Sequence, residues 1–207
     1  MSTPKYTEEQ LNALSAEVAR RMSEKRFLHT KGVVRAAERL AEYLLPEERS
    51  ALVAAALLHD VAKELDAEEL LRLAISVEPT ACEMPRAVLH SFAALAVIER
   101  DFPEFDEQMI KNAIKNHTLG SPDMSVFERI IFVADFVEDG RSYPPSRELS
   151  ERLFSRLDGA RDVNERIAVL NSAVVFEIES TEAHLSRIGE KIADVSRLAK
   201  NAFSVLN

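Results

Sequence analysis

Residues 52–63 read Leu52-Val53-Ala54-Ala55-Ala56-Leu57-Leu58-His59-Asp60-Val61-Ala62-Lys63. An unbroken apolar run meets an imidazole and a carboxylate at its end. Projected on a helix, Leu52, Ala55, Ala56, His59, Asp60 and Lys63 share one broad face. That face is apolar for two turns and turns into imidazole, carboxylate and ammonium in the last. The same reading carried outward finds helix after helix and no strand-like alternation.

Thr7 predicts the N-cap of a helix over about 7 to 24, with Glu8 and Glu9 in its first turn and Gln10 at the capping-box position. A second helix, about 28 to 45, carries Val33, Ala36, Ala37, Leu40 and Leu44 and stops before Pro46. The quoted stretch makes a third, about 47 to 63, and a short one follows at about 67 to 74. Pro85 suits the first turn of a helix over about 85 to 100, and another runs from about 105 to 116 after Pro103. Ser125 caps about 126 to 138, with Glu128 three residues on. Gly140-Arg141-Ser142-Tyr143-Pro144-Pro145 is the clearest interruption. Beyond it lie helices of about 146 to 157, 162 to 187 and 194 to 205. The expected fold is all-α, about nine or ten helices in one domain over 1–207, with a core of about 20–145 on which helices of 146–207 pack.

Composition narrows the function classes. Among 207 residues there are 5 Gly, which fits helices better than many tight turns. Cys82 is the single cysteine, so no internal disulfide can form and a reducing, cytoplasmic location is expected. The polar start, MSTPKYTEEQ, reads as neither a signal peptide nor part of a membrane span. A net charge of -9 argues against nucleic acid as a partner, while a phosphate substrate is compatible with it if cations or metals reverse the sign inside a cleft.

The pattern of the quoted stretch repeats. His117 points where Ile110, Ala113 and Ile114 point; Asp135 and Glu138 share a side with Phe127, Ile130, Ile131 and Ala134; His29 leads the stripe of Val33, Ala36, Ala37 and Leu40. Taken singly, an inward His is usually a hydrogen-bonded core residue, Asp135 could be the partner of an arginine, and Lys63 a solvated helix-end cation. Together, His29, His59, Asp60, His90, His117 and Asp135 need a common partner, because a lone buried carboxylate is costly. A metal ion satisfies several of them at once. His184 belongs to no such pattern.

The order His29 … His59-Asp60 … Asp135 resembles the signature of the HD superfamily of metal-dependent phosphohydrolases, and His90 and His117 resemble the subset with a second metal. Longer strings narrow the resemblance. Arg26-Phe27-Leu28-His29-Thr30-Lys31-Gly32-Val33, Ala56 to Lys63, Asn116-His117-Thr118-Leu119-Gly120, Met124-Ser125 and Ile131 to Glu138 with Gly140-Arg141 resemble the YqeK-type bacterial symmetrical dinucleoside tetraphosphate hydrolases. Leu119 stands where that family usually has a second threonine and Asp139 where it usually has proline; neither is a metal position.

The resemblance implies a hydrolase that cleaves diadenosine tetraphosphate to two ADP by attack of a metal-bound hydroxide on phosphorus. It implies two divalent ions, iron in the first place, with manganese or cobalt as alternatives. His29, His59, Asp60 and Asp135 would hold one ion and His90 and His117 the other, with Asp60 bridging. Asp60 and Lys63 are the expected catalytic residues. Arg26, Lys63 and Arg141 are the candidates for gripping the polyphosphate. The expected partner is a nucleotide, with a homodimer left open. The alternatives are another HD-type nucleotide phosphohydrolase, acting on nucleoside monophosphates or guanosine tetraphosphate, and a non-catalytic nucleotide-sensing HD protein.

Overall fold

Thr7 and Ser125 each open a helix through a reciprocal capping box, with Gln10 and Glu128 returning the bond to the cap backbone. The computed structural model describes residues 4–205. Among the described residues there are ten α-helices and no strand: α1 (Glu8–Arg20), α2 (Glu24–Leu44), α3 (Arg49–Leu58), α4 (Ala67–Val77), α5 (Arg86–Asp101), α6 (Gln108–Asn116), α7 (Val126–Val137), α8 (Pro144–Gly159), α9 (Val163–Arg187) and α10 (Asp194–Val205).

Several boundaries move from the sequence expectation, each for a local reason. α2 begins at Glu24 because the Ser23 hydroxyl accepts from the Arg26 amide, and Glu64 holds Ser23 through its amide and hydroxyl. Arg26 and His29 therefore lie one turn apart on the same helix. α3 stops at Leu58, not near residue 63. His59 Nδ1 sits 2.7 Å from the Ala56 carbonyl, an acceptor the continuing helix would use. The chain then tightens into three-residue turns, with Val61 N bonded to Leu58 O and Lys63 N to Asp60 O. α6 ends the same way, with His117 Nδ1 2.6 Å from Ile114 O. Pro144 and Pro145, read from sequence as part of an interruption, instead open α8.

α3 is the central element: all residues from Ser50 to Leu58 are buried. Around it pack α1, α2, α6 and α7. Leu52 and Leu58 are fully enclosed, each worth about 1.5–3 kcal/mol of burial. The later helices join the same core. α9 packs on α7 and α2, α8 on α9 and α7, and α10 on α9. Arg129 of α7 donates to Asn171 of α9 and stacks over Phe203 of α10, while Ser196 donates to the Leu119 carbonyl at 2.7 Å. No helix among the described residues is long and apolar enough to cross a membrane.

Candidate metal centre

Five helices deliver six donor side chains to one place. His29 comes from α2, His59 and Asp60 from the end of α3, His90 from α5, His117 from the end of α6 and Asp135 from α7. The six fall into two trios, His29–His59–Asp135 and Asp60–His90–His117, each with donor atoms within 4.8 Å of one another. His59, Asp60, His90 and His117 are buried, while His29 and Asp135 are partly open.

Asp60 joins the trios. Its Oδ2 lies 3.5 Å from His59 Nε2 and 3.8 Å from His29 Nε2, and its Oδ1 lies 3.2 Å from His90 Nε2 and 3.8 Å from His117 Nε2. One carboxylate thus turns one oxygen to each side. Asp135 closes the first trio, with Oδ1 3.0 Å from His29 Nε2.

Three imidazoles have the tautomer a metal requires. The Nδ1 atoms of His59, His117 and His29 face the carbonyls of Ala56 and Ile114 and the Glu138 carboxylate, at 2.7, 2.6 and 3.2 Å. Such acceptors keep the proton on Nδ1 and turn the Nε2 lone pair inward. The Nε2 atoms of His29 and His59 are buried, and the carboxylate oxygens near them do not meet hydrogen-bond geometry. A buried nitrogen of that kind is costly unless a cation takes it, and imidazole with carboxylate suits a divalent first-row ion. The donor set fits a pair of metal ions.

The three candidate cations stand over this centre. Arg26 Nη1 donates to Asp60 Oδ2 at 2.8 Å. Arg141 donates through Nη2 to Asp135 Oδ1 at 2.6 Å and through Nε to the Asp135 carbonyl at 2.7 Å. Lys63 Nζ lies 3.0 Å from His90 Nε2 and 3.9 Å from Asp60 Oδ1. Their side chains are 30%, 33% and 32% exposed, so they stand between solvent and the carboxylates.

Burial pushes the Asp60 carboxyl up, but His59, His117 and Lys63 outweigh it and hold it well below the usual carboxylate range. Desolvation likewise opposes Asp135, and His29, Arg141 and His59 prevail and hold it well below that range. Burial depresses His90, reinforced by the nearby charges of His117 and Lys63, so His90 stays neutral and can ligate. Lys63 is lowered by burial.

Three neighbours were not assigned a role from sequence. Glu138, just past α7, braces His29; the signal was its place on the Asp135 side, without a partner to name. Thr118 Oγ1 lies 3.2 Å from His117 Nε2 and 3.3 Å from His90 Nε2, and only adjacency to His117 hinted at it. Glu177 of α9 is buried with Oε2 unpartnered among the described residues. Desolvation raises its carboxyl well above the usual range, and Asp135 adds to the effect while Arg141 opposes it. Its signal was a carboxylate inside the apolar stripe of Val174 and Ile178.

Fold and donor set together define the class: the chain belongs to the HD domain family, whose model matches residues 26–139. Among relatives, the protein named bis(5'-nucleosyl)-tetraphosphatase, symmetrical, of Bacillus subtilis (strain 168) is 29% identical over 182 residues, covering 84% of this chain and 87% of the relative. The protein of the same name from Halalkalibacterium halodurans is 32% identical over 142 residues, 67% of this chain and 74% of the relative. A crystal structure from Clostridium acetobutylicum, titled as a "predicted HD superfamily hydrolase involved in NAD metabolism", superposes with a TM-score of 0.76 at 25% identity, covering 95% of this chain and 97% of that one.

Proposed function

We propose that the chain is a metal-dependent hydrolase that splits diadenosine tetraphosphate symmetrically into two ADP. The observation that carries this reading is the division of Asp60: Oδ2 toward His29 and His59, Oδ1 toward His90 and His117. One residue then serves two cation subsites, with His29, His59 and Asp135 on one side and His90 and His117 on the other. Iron is the expected metal, with manganese or cobalt able to substitute. Such a pair, when bound, acidifies a water and offsets charge on the phosphoryl oxygens.

The protein's own contribution is binding and orientation. Arg26 and Arg141 stand beside the first trio and Lys63 beside the second, so the cations are spread along the line joining the two. That spread suits an elongated polyphosphate better than a single phosphate. Arg26 and Arg141 offer planar, multi-donor contacts to phosphate oxygens, and Lys63 a point charge for the departing diphosphate. Residues 1–207 act as one unit on this reading, since Arg141 and Glu177 bring the segment after α7 up to the centre. The relatives named as symmetrical tetraphosphatases support the substrate choice.

Protein loaded with iron or manganese, metal quantified on the same sample, is incubated with diadenosine tetraphosphate and the products separated. ADP alone is expected. ATP with AMP would mean cleavage at another bond, and turnover confined to nucleoside monophosphates or guanosine tetraphosphate would select the alternative hydrolases.

A further inference from the structure

Thr118 follows the residue that ends α6, and the chain reverses two residues later at Gly120, whose φ is +71°. This turn leaves its hydroxyl facing the Nε2 atoms of His117 and His90, at 3.2 and 3.3 Å. Among the described residues it has no other partner. A threonine hydroxyl holds one proton and can donate to one acceptor only. The His117 proton is committed to the Ile114 carbonyl on the far side of the ring. Once both Nε2 lone pairs are taken by a cation, the Thr118 O–H has nothing within the protein to donate to. The side chain of valine would fill the same space, so the hydroxyl is the chemical difference that matters here.

We propose that Thr118 donates its hydroxyl proton to a non-bridging phosphoryl oxygen of the substrate on the His90–His117 side. This rests on the reading of the two trios as cation subsites that receive a polyphosphate. On it, Arg26 and Arg141 grip one end of the phosphate chain, while Lys63 and Thr118 fix the other. The hydroxyl is neutral, so it adds direction where the nearby cations add attraction.

Thr118→Val and Thr118→Ser are compared with wild type after manganese loading. Three quantities are read: manganese bound per chain and its affinity, the affinity of the loaded protein for inorganic phosphate, and kcat/KM on diadenosine tetraphosphate. Thr118→Val is expected to keep manganese at wild-type stoichiometry and affinity, to weaken phosphate binding, and to lose about 10- to 100-fold in kcat/KM, the worth of one hydrogen bond to a charged acceptor. Thr118→Ser should restore most of both losses. Unchanged phosphate binding in Thr118→Val overturns the proposal. So does loss of manganese from that variant, which would make Thr118 a ligand instead. A wild type that binds manganese and phosphate yet turns over no diadenosine tetraphosphate sinks the proposed function, while the phosphate comparison still decides Thr118. A wild type that takes up no manganese overturns both.

Discussion

Gly32 on α2 is where the site is most sensitive to a single methyl group. A Cβ built there would stand 2.3 Å from Glu138 Oε2, 3.2 Å from Glu138 Cβ and 3.2 Å from Asp139 Oδ1. The end of a glutamate could swing aside, but this one is held. Its Oε2 accepts from the Gly140 amide at 2.6 Å and its Oε1 faces His29 Nδ1 at 3.2 Å. In Gly32→Ala, α2 therefore either moves away from the loop after α7 or Glu138 gives up both contacts. Bonds to a charged acceptor are worth about 1.5–3 kcal/mol each, and the 3.2 Å one is at the weak end. Against that, alanine in a helix gains about 1 kcal/mol over glycine. Losing both contacts, the expected net loss is about 2–3.5 kcal/mol by urea unfolding in chelator. The functional loss should be larger in proportion. Without Glu138 the His29 ring loses its orienting acceptor, and changes to such outer partners weaken metal binding by about 10- to 100-fold. Metal titration of the folded variant measures that part separately. A Gly32→Ala protein as stable as wild type, with unchanged metal affinity, would refute the idea that the close approach of α2 sets the His29 geometry.

Other expectations follow from the same contacts. Asp60→Asn keeps the shape but removes the shared charge; metal affinity should fall by more than about 100-fold, beyond the outer-partner effect, and metal analysis should find fewer than two ions per chain. Lys63→Ala should retain metal and raise KM for diadenosine tetraphosphate about tenfold, the worth of one charge-assisted contact. Glu177→Gln should stabilise the metal-free protein in a pH-dependent way. The folded carboxyl titrates well above its ordinary 4.5, so its stability contribution is intact below that value and is lost as pH rises toward the folded one. The amide escapes this loss, and thermal melts from pH 5 upward should show its advantage growing by about 1.4 kcal/mol per pH unit. An advantage constant with pH would refute the assignment of the shift to Glu177.

The helical pattern and most of the residues that the fold brings together in the two trios were legible from sequence because both are written locally. Thr7 with Gln10 and Ser125 with Glu128 mark helix starts through contacts three residues apart. His29, His59, Asp60, His117 and Asp135 are visible as polar groups at the ends of apolar stripes, while His90 was assigned through the family resemblance. Placing His59, Asp60 and Lys63 on one continuous helical face went wrong because periodicity cannot report that an imidazole will compete for the Ala56 carbonyl and end α3 at Leu58. The second helix was read as starting near residue 28, past Arg26, because its cap, Ser23, is set by Glu64, a partner 41 residues away. Glu138 and Thr118 were marked only by their neighbours, Asp135 and His117, with no partner legible: one is brought to His29 by the approach at Gly32, the other turned inward by the reversal at Gly120.

Charge balance explains why such a polar centre survives inside an apolar fold and, on the proposed function, what it would select. Arg26, Lys63 and Arg141 carry formal positive charges against the formal negative charges of Asp60, Asp135 and Glu138. The metal-free site is thus nearly self-compensated, as buried charges must be. Two divalent ions would tip it strongly positive without removing Arg26, Lys63 or Arg141, and with Asp60 and Asp135 already spent as ligands. On that reading the compensation would come from outside, from a ligand with one negative charge for each phosphate along a chain. A monophosphate would leave the cations at one end unanswered, while a tetraphosphate laid across both trios answers all of them. Raising ionic strength should accordingly weaken binding of diadenosine tetraphosphate to the metal-loaded protein more steeply than binding of AMP, measured by competition. Equal salt dependence for the two would mean that Arg26, Lys63 and Arg141 do not meet the phosphate chain together.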